Sequence, residues 1–430
     1  MKIEKKLDRQ HTFFATCAKN IEGLLKQELI NLGALNVKET VLGVYFEGDL
    51  TLAYKICLWS RLANHIFMPI LKLGADSPED LYQKIYKLDW SLHLDPAKTL
   101  AVEVSGRHET MTNNLFIAQK VKDAVVDKLR AQYGQRPSVQ KHQPDLNLNL
   151  HIERGIFCTL SLNLSGESLH RRGYRLEAGR APLKETLAAA ILIRAGWKGF
   201  FGSQADAYES ILDPMCGTGT LLIEAALIKF NIAPGLFRNY FGFLGWKQHQ
   251  RGVWETLVQE AKKIREENLL PVMAAQKNMF LGLDIHPDAV RFAKENIKRA
   301  GLSALIKIQQ QDCLEYLNLE NNPSALELVN QDGGKNKKLI IFNPPYGERL
   351  GLGEMESLKQ LFTACGTYLR KYFIHADLAI FSGAPKEIMQ ALGIRAVKKY
   401  PLLNGLLPCE LYLFKIQPEL FWRGDLKNKK

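Results

Sequence analysis

At 430 residues the chain is longer than one hydrophobic core usually supports, so two or three domains are expected, and 46% hydrophobic residues are ample to fold them. A net charge of +12 and a pI near 9.2 favour a polyanionic partner, although solubility explains the same excess. Seven cysteines without a Cys-x-x-Cys pair exclude a zinc or iron–sulfur framework and read as reduced thiols, and no apolar run is long enough to span a membrane.

The chain opens on Met1-Lys2-Ile3-Glu4-Lys5-Lys6, which is charged and lacks the apolar stretch of a secretory leader, so a soluble cytoplasmic protein is expected. Thr12 to Cys17 is a strand candidate. Ile21 to Leu32 follows as a helix, with Leu24, Leu25, Leu29 and Leu32 close to helical spacing. Val44 to Gly48 reads as a second short strand and Leu50 to Leu62 as a helix. Residues 1–52 thus suggest a ferredoxin-like region of α+β type. Further on, Lys120, Lys122, Lys128, Arg130, Arg136 and Lys141 suit phosphate contacts. A solvated helix face, offset by Asp123 and Asp127, accounts for them as well.

A denser cationic stretch holds Arg171, Arg172, Arg175, Arg180 and Lys184 around Tyr174. Arginines beside an aromatic ring can neutralise phosphate and stack on bases; docking of two domains is the competing reading. Pro182 suits the first turn of a helix continuing through Ile193.

Tyr208-Glu209-Ser210-Ile211-Leu212 then leads into Asp213-Pro214-Met215-Cys216-Gly217-Thr218-Gly219-Thr220 and an apolar helix from Leu221. This is strand, glycine turn, helix. Gly217 and Gly219 let backbone approach a ligand, and the helix start offers free N–H groups. The spacing matches neither the dinucleotide fingerprint nor a Walker loop, which disfavours diphosphate binding. Residues 230–278 form an insertion whose cluster of Phe241, Phe243, Trp246 and Trp254 reads as local core of a helical excursion, or as a wall for a planar base. His249 within it has no partner at metal-ligand spacing.

Three more strand ends follow. Met279 to Leu283 ends in Asp284, placed where an acidic residue binds ribose hydroxyls, and Leu305 to Ile308 precedes Gln311-Asp312. Either aspartate is also an ordinary helix cap. Lys338 to Phe342 delivers Asn343-Pro344-Pro345-Tyr346-Gly347. The Asn343 side-chain oxygen and the Pro344 carbonyl can both accept from one exocyclic amine, Tyr346 offers a ring on which a base can stack, and Gly347 lets the chain turn away. A proline-rich strand exit without chemistry is the alternative. Asn404-Gly405 reads as the loop of a closing antiparallel hairpin.

The order of these segments resembles a class I S-adenosylmethionine-dependent methyltransferase of the Asn-Pro-Pro-Tyr branch. Asn343 to Leu350 together with Asp213 to Thr220, and the runs Leu164 to Arg175 and Ala181 to Ala190, are similar to THUMP-containing RNA guanine-N2 methyltransferases, in particular those acting on bacterial 23S rRNA. The resemblance extends along nearly the whole chain. It implies a Rossmann-like α/β domain with a seven-stranded mixed sheet over residues 165–430, preceded by a THUMP RNA-binding domain over 53–164. It further implies S-adenosylmethionine as cofactor, held by Asp213, Cys216, Gly217, Gly219, Asp284 and Asp312, with Asn343, Pro344 and Tyr346 catalytic. Lys120, Lys122, Arg136, Arg171, Arg172 and Arg175 are the expected RNA contacts. The partner is expected to be 23S rRNA or a ribosomal assembly intermediate, with neither metal nor membrane. A tRNA guanine-N2 methyltransferase, a DNA adenine-N6 methyltransferase and a non-catalytic RNA-binding assembly factor are the other readings.

Overall fold

The computed structural model describes residues 10–109, 111–175, 183–197, 208–274, 279–320, 338–345 and 352–422. The chain divides into two compact units, the first built from Met1–Cys17, Glu22–Arg172 and Ala233–Lys262, the second from Ala18–Ile21, Gly173–Ile232 and Lys263–Lys430.

The first unit runs β1 (His11–Thr16), α1 (Glu22–Leu32), β2 (Leu35–Thr40), β3 (Gly43–Gly48), α2 (Leu50–Trp59), β4 (His65–Gly74), α3 (Pro78–Tyr86), β5 (Thr99–Ser105), α4 (Asn114–Tyr133), β6 (Ser138–Val139), β7 (Leu146–Arg154) and β8 (Phe157–Asn163). Its strands form a single sheet in the order β2-β3-β1-β4-β8-β7-β5-β6. Strand alternation sends Phe13, Ala15, Val44, Phe46, Ile66, Leu148 and Leu160 into the core, while Phe14, Tyr45 and Phe67 point to the other face. Helix α2 stops at Trp59 rather than Leu62. The reason is Glu28 on α1, a buried carboxylate that accepts from Ser60 Oγ at 2.6 Å, Arg61 N at 2.8 Å and Leu62 N at 3.3 Å. Those donors are therefore drawn out of the helix, and burial pushes the Glu28 carboxyl up despite them.

The second unit continues with α5 (Glu185–Arg194), β9 (Ser210–Asp213), α6 (Thr220–Lys229), α7 (Arg251–Ala274), β10 (Phe280–Asp284), α8 (Pro287–Arg299), β11 (Ile306–Gln310), α9 (Cys313–Leu317), β12 (Lys338–Phe342), α10 (Leu352–Tyr372), β13 (Asp377–Ser382), α11 (Lys386–Gln390), β14 (Ala396–Asn404) and β15 (Leu407–Lys415). Helix α7 starts within the first unit's residues and ends within the second's. The sheet order β11-β10-β9-β12-β13-β15-β14 is the expected Rossmann-like, seven-stranded mixed arrangement. Strands β11 to β13 are parallel and β15 is antiparallel to both its neighbours. Parallel strands are covered on both faces, which is why Leu339 to Phe342 is continuously apolar and buried. The chain leaves β9 toward β10 and β11, then returns to β12 on the other side. A ligand crevice belongs at such a switch, beyond the carboxyl ends of β9 and β12. The hairpin at Asn404 is present, with Asn404 paired to Leu407 and Gly405 at φ +66°.

The aromatic insertion takes the role of core rather than of a wall for a base. Ala233–Lys262 packs in the first unit: the Tyr54 ring of α2 lies 4.4 Å from Phe243, and Phe241 lies 4.9 Å from Trp254. His249 Nδ1 sits 3.1 Å from the Tyr54 hydroxyl, so this histidine is a partnered packing residue. Among the described residues no helix is long and apolar enough to cross a membrane.

Candidate active site

The glycine turn between β9 and α6 is pinned from three sides. Cys216 N donates to Leu283 O at 2.8 Å, Gly217 N to the Asp284 carboxylate at 2.9 Å, and Asn296 Nδ2 of α8 to Thr218 O at 3.1 Å. Gly217 and Gly219 adopt φ of +52° and +78°, a region that side chains disfavour. Gly219 occupies the N-cap of α6 and supplies no side-chain acceptor, so the first amides of that helix remain available to a ligand. Packing beneath the turn is close. A Cβ on Gly282 of β10 would stand 2.6 Å from Ile308 Cδ1 and from Leu222 Cδ1, and 3.0 Å from Cys216 Sγ.

Asp213 lies beneath the turn, 1% exposed, and accepts from Met215 N at 3.2 Å. Burial, reinforced by the nearby Asp284 charge, pushes its carboxyl well above the usual range. The Cys216 thiol is likewise pushed up by burial and by both aspartates. Asp284 is placed differently: one oxygen takes Gly217 N, the other His286 N at 2.9 Å. Each carboxylate oxygen has two lone-pair directions, so a second acceptor site on each is left for hydroxyl donors. Asp312 caps α9 by accepting from Leu314 N at 2.7 Å, one strand further along the same edge.

Asn343 follows β12 directly. Its Oδ1 is buried and has no hydrogen-bond partner among the described residues. Buried side-chain acceptors are ordinarily paired, so this oxygen is poised for a donor brought by a ligand. Register sets β12 beside β9, with Ile340 opposite Leu212, which puts Asn343 at the same edge as the glycine turn. The donor set therefore fits a nucleoside-like cofactor beside an amine-bearing base. Pro344 is buried at this strand exit; Tyr346 lies outside the described residues.

The arginine cluster separates into different jobs. Arg172, expected at RNA, is 1% exposed and donates to Ser60 O at 3.2 Å, Leu169 O at 2.9 Å and Arg61 O at 2.8 Å. Its guanidinium is spent on carbonyls inside the first unit, which corrects that expectation. Arg175 is also turned inward: it pairs with buried Glu185 of α5 at 3.3 Å and donates to Thr220 Oγ1 of α6 and Leu183 O, both at 2.7 Å. Sequence reasoning missed this tie between α5 and the glycine turn, and missed Asn296. The residue that could have signalled it is Glu185, an acidic residue that opens the apolar helix α5. Arg171 stays exposed, 3.6 Å from Glu167. On α4, Lys120 lies 3.5 Å from Glu79 and Lys122 pairs with Asp123, whereas Arg136 is exposed.

Comparison with known proteins matches the chain in three segments. Family profiles match residues 12–67 as the RlmL ferredoxin-like domain, 75–163 as a THUMP domain, and 172–412 as the RMKL-like methyltransferase domain. Curated relatives include the ribosomal RNA large subunit methyltransferase K/L of Syntrophotalea carbinolica, 46% identical over 97% of this chain and 55% of the relative. The protein of that name from Methylococcus capsulatus is 44% identical over 95% and 52%. The chain thus spans about half the length of these relatives. Among solved structures, a methyltransferase complexed with SAH, SMU.472, matches with a TM-score of 0.75 at 26% identity, over 95% of this chain and 98% of that one. A Listeria monocytogenes protein named as a predicted N6-adenine-specific DNA methylase matches equally well, with a TM-score of 0.75 at 27% identity over 94% and 96%.

Proposed function

The chain belongs to the RMKL-like methyltransferase family, and from that premise we propose that it transfers a methyl group from S-adenosylmethionine to the exocyclic N2 amine of a guanine in RNA, with 23S rRNA or a ribosomal assembly intermediate as substrate. The observation that carries this reading is the buried Asn343 Oδ1, without a partner among the described residues, at the sheet edge beside the glycine turn. Curated relatives named for large-subunit rRNA and a solved neighbour holding SAH support it. Action on ribosomal RNA would put the protein in the cytoplasm.

The sulfonium cofactor supplies an electrophilic methyl group when bound. Asp213 to Gly219 would hold its amino-acid end, Asp284 the ribose hydroxyls, and Asp312 the adenine amine. Guanine N2 is a weak nucleophile, because its lone pair is delocalised into the ring. Asn343 Oδ1 and the Pro344 carbonyl accept from N2–H, favour a pyramidal nitrogen and aim its lone pair. Positive charge would develop on that nitrogen as its bond to methyl forms and the methyl–sulfur bond breaks, leaving a neutral thioether. The two acceptors hold that charge better than they hold the neutral amine, so they bind the transition state in preference to the ground state. No strong base is required, since the proton leaves after transfer. A paired guanine has to be unstacked to reach this edge, and Tyr346 would receive it.

Adenine N6 is also an exocyclic amine, and the name of the Listeria neighbour keeps a DNA adenine methylase as a second reading. Incubation with labelled S-adenosylmethionine and separated rRNA, tRNA and DNA, followed by nucleoside identification, decides between them. N2-methylguanine in rRNA is the expected product. N6-methyladenine in DNA, or no transfer at all, would overturn the proposal.

A further inference from the structure

The first unit carries a groove of about 1150 Å³ on the face of its sheet opposite the buried core. Register aligns four of its side chains across β2, β3, β1 and β4: Lys38 beside Tyr45, Tyr45 beside Phe14, and Phe14 beside Phe67. The Phe14 and Tyr45 rings are 4.6 Å apart, inclined at 35°. Three aromatic side chains on neighbouring strands, only partly buried, offer flat apolar surface to a planar ligand.

Polar groups of an unusual kind flank these rings. Ser161 of β8 pairs across the sheet with Asn149 of β7, and both line the groove. They are 4% and 6% exposed, yet neither side chain forms a hydrogen bond among the described residues. The Asn149 amide offers a donor and an acceptor side by side to whatever fills the groove. That is the pairing a nucleobase edge presents in return.

Two lysines and two carboxylates line the groove. Glu47 is engaged by Asn36 Nδ2 at 2.6 Å and Glu153 by Thr159 Oγ1 at 2.7 Å, whereas Lys38 and Lys72 form no ion pair among the described residues. A peptide adding itself as a strand needs free backbone at a sheet edge. Here the interior strands β1, β4, β8 and β7 have both neighbours in place. We propose that this open sheet face binds an unpaired stretch of RNA, with bases stacked on Phe14, Tyr45 and Phe67, a base edge read by Asn149 and Ser161, and phosphates met by Lys38 and Lys72. The inference rests on the reading that RNA is the substrate, and assigns the single-stranded part of it to a surface outside the methyl-transfer site.

Fluorescence anisotropy of the full chain with a labelled mixed-sequence eight-nucleotide RNA, and with a blunt duplex of the same sequence, tests it. The Phe14→Leu/Phe67→Leu variant keeps apolar volume and removes two rings; its affinity for the single strand should fall at least tenfold, with duplex binding and thermal midpoint unchanged. Lys38→Gln/Lys72→Gln should flatten the slope of log affinity against log salt by roughly 1.4, two phosphates on a single strand. Wild-type affinity in the double-leucine variant, or capture of a peptide in place of RNA, overturns the site. Methylation of 23S rRNA is measured in parallel. Transfer without ring-dependent strand binding removes the groove alone, and ring-dependent binding without transfer removes the enzymatic reading alone.

Discussion

Asn343 and Arg172 are both polar side chains withdrawn from solvent, and the difference between them is what each has left to give. Arg172 has committed its guanidinium to three buried carbonyls, so Arg172→Ala leaves them stranded and should cost roughly 3 kcal/mol or more in chemical denaturation. Undiminished stability with weakened RNA binding would restore its role as an RNA contact. Asn343 has an acceptor still open. Asn343→Ala should lower the rate of transfer by about 10²–10³-fold, as loss of an oriented transition-state partner does elsewhere, with cofactor affinity nearly intact. Retained turnover would sink the mechanism. For Asp284→Ala the expectation reverses. The turn loses the acceptor for Gly217 N and the cofactor its ribose partner, so calorimetry should show cofactor binding lost. At this scale the strand-end positions of Asn343 and Asp284 are legible, because each closes a short apolar run. Composition gives no sign that Arg172 is held by backbone carbonyls or Arg175 by Glu185 and Thr220, because it cannot tell an arginine facing solvent from one turned inward.

Among the elements, the parallel strands β9, β10 and β12 are legible as short apolar runs that end in Asp or lead directly into Asn, since interior strands buried on both faces leave little room for other residues. Strand β2 is not. Leu35-Asn36-Val37-Lys38-Glu39-Thr40 is an edge strand, exposed except at Val37, and carries no alternation to read. Nor is the end of α2 legible, because the group that stops it, Glu28, sits 32 residues earlier than Ser60. Where α6 crosses β10 the two elements touch through a missing side chain. Gly282→Ala forces Ile308, Leu222 and Cys216 apart, which overpacking commonly penalises by about 1–3 kcal/mol. Since Cys216 belongs to the turn and Leu222 to its helix, cofactor affinity should fall together with the thermal midpoint. A lower midpoint with normal cofactor affinity would show that the turn moves independently of its floor.

At the scale of the molecule, acid is the condition to which the first unit is most exposed. Burial, helped by the Arg238 charge, depresses the His65 imidazole to about 4 from 6.5. The unfolded chain takes up that proton near pH 6.5 and the folded chain does not, so stability held above that pH drains away as pH falls toward 4. The loss should reach about 2 kcal/mol by pH 5. Burial raises Glu28, which leans the other way, so the informative quantity is the difference in urea midpoint between wild type and His65→Gln at pH 7 and pH 5. Equal pH slopes in the two proteins would exclude His65. The two-unit division itself is only half legible: motifs place the methyl-transfer residues in the later part, yet nothing local marks Phe243 and Trp254 as partners of Tyr54. That partnership imposes an order on biosynthesis. A ribosome that has finished β8 has released every strand of the first sheet but not the rings that close around Tyr54, so the nascent chain has to carry an unfinished core past β9 and α6 until Trp254 emerges. Protection of this unit during translation should therefore appear late, after the second unit's first strand is already made.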